Sequence, residues 1–177
     1  MPVVNGLFPK FIYSDTLNVS DAYNEEIKAE IYRLTNGLEK KQQESVTDFF
    51  DKNDLINNPV FVPLFALIRE HISTFCRSVG YSKDLRITDP WVSITYPGQF
   101  HNFHNHGLAV MNGVYYVQAV PSMRLKFINS GSHLIENDHS EQLETKKLLL
   151  FDGSLIHGFT AVNEPEPKIT IAFNIIS

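Results

Sequence analysis

Beyond Arg86 the chain stops supporting a helical reading. It breaks into short segments rich in β-branched and aromatic residues: Trp91 to Tyr96, His101 to His106, Ala109 to Val120, Met123 to Phe127, Lys146 to Phe151, Leu155 to Ala161 and Lys168 to Ile176. Turn signals separate them, at Pro97-Gly98, Asn129-Ser-Gly131, Asp152-Gly153 and Glu164-Pro-Glu-Pro167. Seven or eight short strands in a row predict a sandwich or jelly-roll barrel. The last strand runs almost to Ser177, so losing the C-terminus is expected to harm the fold.

Two helical stretches precede the strands. The first runs from Val19 to a stop at Asn36-Gly37, opens on the cap-type residues Ser20 and Asp21, and spaces Ile27, Ile31 and Leu34 along one face. The second spans about Asn58 to Val79, with Pro63 in its opening turns and Gly80 just past its end. Its broad apolar face (Leu64, Phe65, Ile68, Ile72, Phe75) predicts packing against a sheet. The polar stretch from Leu38 to Asn53 reads as a surface loop. The expected class is therefore mainly β (α+β). One domain spans residues 1–177, with a helical part over 1–85 bracing a jelly-roll core over 86–177.

Composition narrows the function classes. With 43% hydrophobic residues, 12% aromatics and thirteen Phe, the chain is globular rather than disordered. A formal charge of −5 argues against binding nucleic acid through bulk electrostatics. No window approaches the roughly 18 apolar residues of a membrane span, and the first residues lack the basic flank of a secretory signal. The single cysteine, Cys76, allows no internal disulfide and sits in an apolar helical pattern as a small buried hydrophobe. A reducing cytoplasm is the expected compartment, and oligomeric state is open.

The chemistry concentrates in His104-Asn-His106 and in His157, 51 residues further on. Residues two apart on a strand share a face, so His104 and His106 point the same way. His157 puts a polar ring beside Leu155-Ile156, where a buried strand is expected, and a buried imidazole needs a metal or a hydrogen-bond partner. Three converging imidazoles suit a borderline transition metal, while coincidental pairs also arise in a chain of seven histidines. His101 is out of step with His104 and His106 and is expected to face away. His71 belongs to a helix surface, and His133 and His139 to a polar loop.

Motif order then carries a resemblance. Tyr96-Pro-Gly-Gln-Phe, His104-Asn-His106 and Gly113-Val-Tyr-Tyr-Val117 resemble the front half of the 2-oxoglutarate/Fe(II)-dependent oxygenase core. Leu148 to Gly158, with His157, and Lys168-Ile-Thr-Ile-Ala-Phe-Asn174 resemble its back half. The chain is similar to a group of small oxygenase-like proteins of bacteria and phages with a His-x-His pair. Two residues depart from the superfamily's usual pattern: His106 stands where a carboxylate ligand is usual, and Lys168 where an arginine is. Imidazole is a sound Fe(II) ligand, though a third one removes a negative charge from the metal. Lysine offers a point charge in place of a planar fork.

The resemblance implies a double-stranded β-helix (jelly-roll) fold and a hydroxylase using Fe(II), 2-oxoglutarate and O2, with release of succinate and CO2. It implies metal ligands His104, His106 and His157, and cosubstrate contacts from Lys168, Thr170, Tyr96 and Tyr116. Tyr115 and Tyr116 point to opposite faces of their strand, so only one can enter the barrel. The substrate, a small molecule or a protein side chain, is not specified; no membrane or nucleic acid is indicated. A cupin-like metal dioxygenase is the nearest rival, but Val110 and Met111 stand where cupins usually place a glutamate ligand. A jelly-roll module without turnover is the rival outside enzymes.

Overall fold

The structure is a computed structural model that describes residues 9–36, 38, 45–47, 49, 54–129, 138–161 and 163–177. Its elements run β1 (Ile12–Thr16), α1 (Asp21–Thr35), β2 (Val46–Thr47), α2 (Val62–Val79), β3 (Arg86–Thr95), β4 (His101–His104) and β5 (Met111–Gln118). Then follow β6 (Arg124–Ile128), β7 (Asp138–Gln142), β8 (Lys147–Asp152), β9 (Ile156–Phe159) and β10 (Lys168–Ile176). Six strands form a major sheet in the order β1-β8-β5-β10-β3-β2, and four form a minor sheet, β4-β9-β6-β7. Every pairing is antiparallel. The jelly-roll fold expected from strand count and turn spacing is the one observed.

Alternation along β10 divides the molecule into two cores. Ile169, Ile171, Phe173 and Ile175 face the helices and are buried with Ile27 and Ile31 of α1 and Leu64, Phe65 and Ile68 of α2. The opposite face, toward the minor sheet, carries Lys168, Thr170, Ala172 and Asn174. There Tyr116, Leu149 and Phe151 meet Leu125, Phe127 and Phe159 in a second apolar cluster. The layers are thus helices, major sheet and minor sheet, with the polar face of β10 turned inward between the sheets.

Local chemistry fixes the helices. Ser20 caps α1 by accepting the Tyr23 N–H, and Asp21 begins its first turn. Asn24 is buried yet satisfied: its Nδ2 donates to the Val117 carbonyl at 2.9 Å, and its Oδ1 accepts from the Tyr115 hydroxyl at 2.9 Å. That pair of bonds ties α1 to β5. In α2, Pro63 sits in the first turn and Gly80 ends the helix in the left-handed region at φ 71°. The helix begins at Val62 rather than near Asn58, because Asn58 accepts the Val60 N–H and makes a turn instead.

Three strands went unread in the sequence. β1 and β2 lie at the edges of the major sheet, so the part before Arg86 is not purely helical. β7, with His139, occupies what was expected to be polar loop. Gly37, His133, the Ser130-Gly131 turn and most of the Leu38 to Asn53 stretch lie outside the described residues, as do residues 1–8.

Candidate metal centre

His104 ends β4 and His157 lies opposite it on β9, the two paired in register. His106 is not on the strand with His104, as parity suggested; it lies in the segment just after β4. Its backbone N–H donates to the Gly153 carbonyl at 3.1 Å, and its own carbonyl accepts from Ala109 at 2.8 Å. The turn between β8 and β9 therefore holds this ring in place. Gly153 makes that possible, because a Cβ there would run into the carbonyl oxygen of Ala109. One ligand nitrogen from each of the three rings lies within 4.8 Å of the other two, the one such group found among the described residues.

Each ring is locked through its Nδ1. His104 Nδ1 meets the Asn102 carbonyl at 2.8 Å, His157 Nδ1 the Leu155 carbonyl at 2.9 Å, and His106 Nδ1 the Asn174 Oδ1 at 2.7 Å. Carbonyl oxygens only accept, so each Nδ1 carries the proton and each Nε2 presents a lone pair. The Nε2 atoms of His104 and His106 nevertheless stand 3.0 Å apart. Two facing lone pairs at that distance repel unless a cation lies between or beside them. Burial drives the His157 pKa down to about 3, with the neighbouring imidazoles adding to the fall, and burial also lowers that of His106. Oriented, mutually facing Nε2 atoms suit Fe(II) or a similar transition ion.

An inner pocket continues from the histidines between the sheets. Lys168, Thr170, Tyr116 and Asn112 line it, together with Phe151 and Phe159. Lys168 is buried, and loss of hydration alone brings its pKa down to about 7. Its Nζ lies 3.9 Å from the centre of the Phe159 ring, and among the described residues no carboxylate pairs with it. Asn112, 2% exposed, leaves both its amide nitrogen and its amide oxygen without a partner. Native interiors rarely tolerate such orphans, so a buried lysine with no carboxylate partner and an orphaned amide along one pocket fit a polar, anionic occupant such as 2-oxoglutarate.

The remaining expectations divide. Of the two adjacent tyrosines, Tyr116 faces the inner pocket and Tyr115 the helix layer. Tyr96 is not among the residues lining this pocket: it lies just past the end of β3 and packs against the helix-side cluster. His101 does not face away. Its ring centroid is 4.5 Å from that of His104, because the pairing shifts between His101 and His104 and three residues of β4 span two of β9. That bulge reverses the parity on which the expectation rested. His71 bonds the Tyr13 hydroxyl at 2.7 Å on α2, and His139 is exposed on β7. Asn174 and Asn112 were overlooked, although alternation alone puts Asn174 on the same face as Lys168 and Thr170.

Outside the inner pocket the histidines open onto a cleft of about 1020 Å³. Trp91 stacks on His106 at 5.9 Å between ring centres and 14° between planes, and Phe49 meets Trp91 edge-on at 5.1 Å. Phe100, Leu108 and Val110 add apolar wall, and Ser93, Asn102 and Asn105 add polar wall.

Residues 89–174 match the sequence pattern of the family described as "Putative 2OG-Fe(II) oxygenase". That family implies Fe(II) and 2-oxoglutarate. No curated protein matches the chain in sequence. Among solved structures, the alpha-ketoglutarate-dependent epimerase SnoN from nogalamycin biosynthesis aligns with TM-score 0.67 at 13% identity, over 94% of this chain and 77% of its own. HygX from Streptomyces hygroscopicus, solved with nickel and 2-oxoglutarate, gives 0.66 at 10% identity over 93% and 81%. The viral collagen prolyl hydroxylase vCPH from Paramecium Bursaria Chlorella virus-1, in complex with 2OG, gives 0.65 at 15% identity over 94% and 96%. At these identities the likeness establishes the fold. The resemblance read from the motifs is thus met twice, by the family pattern over the strand region and by the architecture over nearly the whole chain.

Proposed function

We propose that this chain, carrying the 2OG-Fe(II) oxygenase pattern over residues 89–174, is a non-haem Fe(II)- and 2-oxoglutarate-dependent hydroxylase acting as a single domain. The observation that carries the reading is the set of three imidazoles with Nδ1 locked and Nε2 converging, two of them 3.0 Å apart. When bound, iron and 2-oxoglutarate would supply the oxidising chemistry together with O2: the cosubstrate loses CO2 and takes up one atom of O2 to become succinate, and the other atom enters a substrate C–H bond.

The chain's residues do the rest. His104, His106 and His157 offer lone pairs to the iron, and the Asn102 and Leu155 carbonyls and Asn174 keep the rings from rotating. Lys168 receives the far carboxylate of the cosubstrate, with Thr170 beside it on the same face of β10. Tyr116 is available as a donor, since burial holds its phenol protonated far above the ordinary value. Phe151, Phe159 and Leu125 close the pocket and exclude water, which strengthens the Lys168–carboxylate attraction. The substrate enters by the outer cleft; among the described residues no helix is long and apolar enough to cross a membrane.

The test is an anaerobic titration with Fe(II) and 2-oxoglutarate, followed by the visible metal-to-ligand charge-transfer band, with His157→Ala as control. A band that needs both additions and is lost in the variant supports the reading. Iron binding without a band removes Lys168 from cosubstrate binding and favours a cupin-like dioxygenase. Binding of neither leaves the histidines structural.

A further inference from the structure

Asp89 holds a backbone conformation that side chains rarely adopt, and it does so at the edge of the outer cleft. Its φ is +43°, one of two left-handed values at residues other than glycine among the described residues. The cause is a bulge. Ala172 pairs with Trp91 and Asn174 with Thr88, so β3 spends three residues where β10 spends two. Alternation from Trp91 already puts Asp89 on the cleft face; the extra residue brings Thr88 to that face too and turns Ile87 to the helix side. Bulges and strained residues of this kind re-aim side chains, and they gather at functional sites.

What Asp89 contributes there is charge. Among the described residues lining the cleft it is the one acidic side chain, and no lysine or arginine lines it. Beside it stands the flat wall of Trp91, stacked on His106 and braced edge-on by Phe49. Among the described lining residues, an anionic substrate would meet a carboxylate with no lysine or arginine to offset it. A molecule with an amine or guanidinium near an apolar or flat face would place the charge at Asp89 and the face on Trp91, over the histidines. Asp89 is exposed, so this pairing gives selectivity more than affinity.

We infer that the cleft selects cationic substrates, with Asp89 as the specificity-determining residue and Trp91 as the platform. The inference deepens the proposed function and rests on it for the word substrate. Its test needs neither iron nor turnover, so the two can fail separately.

Trp91 is the single tryptophan of the chain, and its emission therefore reports on the cleft. Metal-free protein is titrated with three probes that share a benzyl group and carry a positive, neutral or negative end: 2-phenylethylamine, 2-phenylethanol and phenylacetate. The amine is expected to bind about tenfold more tightly than phenylacetate, with the alcohol between and the gap narrowing as salt is raised. Asp89→Asn, which tolerates the left-handed backbone, is expected to bring amine and acid within about twofold. Phenylacetate binding as well as the amine overturns the inference. So does an unchanged ratio in Asp89→Asn, or no response to any probe. A charge-transfer band that forms while the cleft shows no cation preference would leave the oxygenase reading standing and this one refuted.

Discussion

A buried lysine with no acid beside it makes a pH-dependent handle. Lys168 titrates near 7 because burial strips its hydration, whereas an unfolded lysine titrates near 10.5. Between those values the unfolded chain holds a proton that the folded chain does not, so this residue makes the empty protein more stable as pH rises through that window, with the loss on lowering pH complete by about 7. A carboxylate at Lys168 reverses the balance by restoring the charge. Affinity for 2-oxoglutarate is therefore expected to be full below pH 7 and to fall by up to about tenfold per pH unit above it. Lys168→Arg, always charged, is expected to bind with no such fall. Calorimetric titration of Co(II)-loaded protein with 2-oxoglutarate from pH 6.5 to 9 checks both; equal slopes in the two proteins would remove Lys168 from the cosubstrate site. The lysine was legible in the sequence because it sits 11 residues past His157 in a familiar order. The partners of the histidine rings were less so. Asn174 lies 68 residues from His106, and only the register of β10 against its neighbours reveals that the two meet. Asn112 was silent for another reason: an asparagine in a strand looks ordinary until its amide is found buried without partners.

Elements were legible where they are apolar and buried and hidden where they are polar and exposed. β10 and β8 bury almost every residue and read as strands at once. β7 exposes Asp138, His139 and Ser140 at the edge of its sheet, so nothing in its composition separates it from a loop. The bulges matter more than the missed edges. One in β4 swings His101 toward His104, and one in β3 brings Thr88 onto the cleft face beside Asp89 and Trp91 and sends Ile87 to the helix side; each reverses a parity argument sound for a regular strand. The close packing that holds His106 is equally hidden from sequence, since it depends on the β8–β9 turn touching the segment after β4. Gly153→Ala drives a methyl into the Ala109 carbonyl, which must shift and take with it the bonds that His106 makes to Gly153 and Ala109. The expected cost is about 1–3 kcal/mol of stability, read as a lower midpoint in urea. Weaker Co(II) binding should accompany it. A variant that loses stability but binds Co(II) as tightly as the parent would show that this turn does not position His106.

At the scale of the molecule, the two cores lie on opposite faces of the major sheet and answer to different residues. The helix-side core holds Ile27 and Ile31 against Ile169 and Ile171; it makes the sheet stable but touches no ligand. The inter-sheet space holds the histidines, and there the metal would join the sheets: His104 and His157 belong to the minor sheet, while His106 is tethered to Asn174 of β10 in the major one. A cation bound at that junction stabilises the folded chain by mass action, about 2.7 kcal/mol at a hundredfold excess over its Kd. Deleting a buried side chain in the other core costs about 2–5 kcal/mol for an isoleucine cut to alanine. Because Ile27 on α1 packs in the helix-side cluster, on the other face of the major sheet from the histidines, the two effects are expected to add. Ile27→Ala should lower the unfolding midpoint with and without Co(II), and the increment from the metal should match that of the parent. His157→Ala should instead abolish the increment. If Ile27→Ala erased it as well, the helices would be part of the metal site's support rather than a separate brace, and the division of the fold into a stabilising layer and a reacting layer would fail.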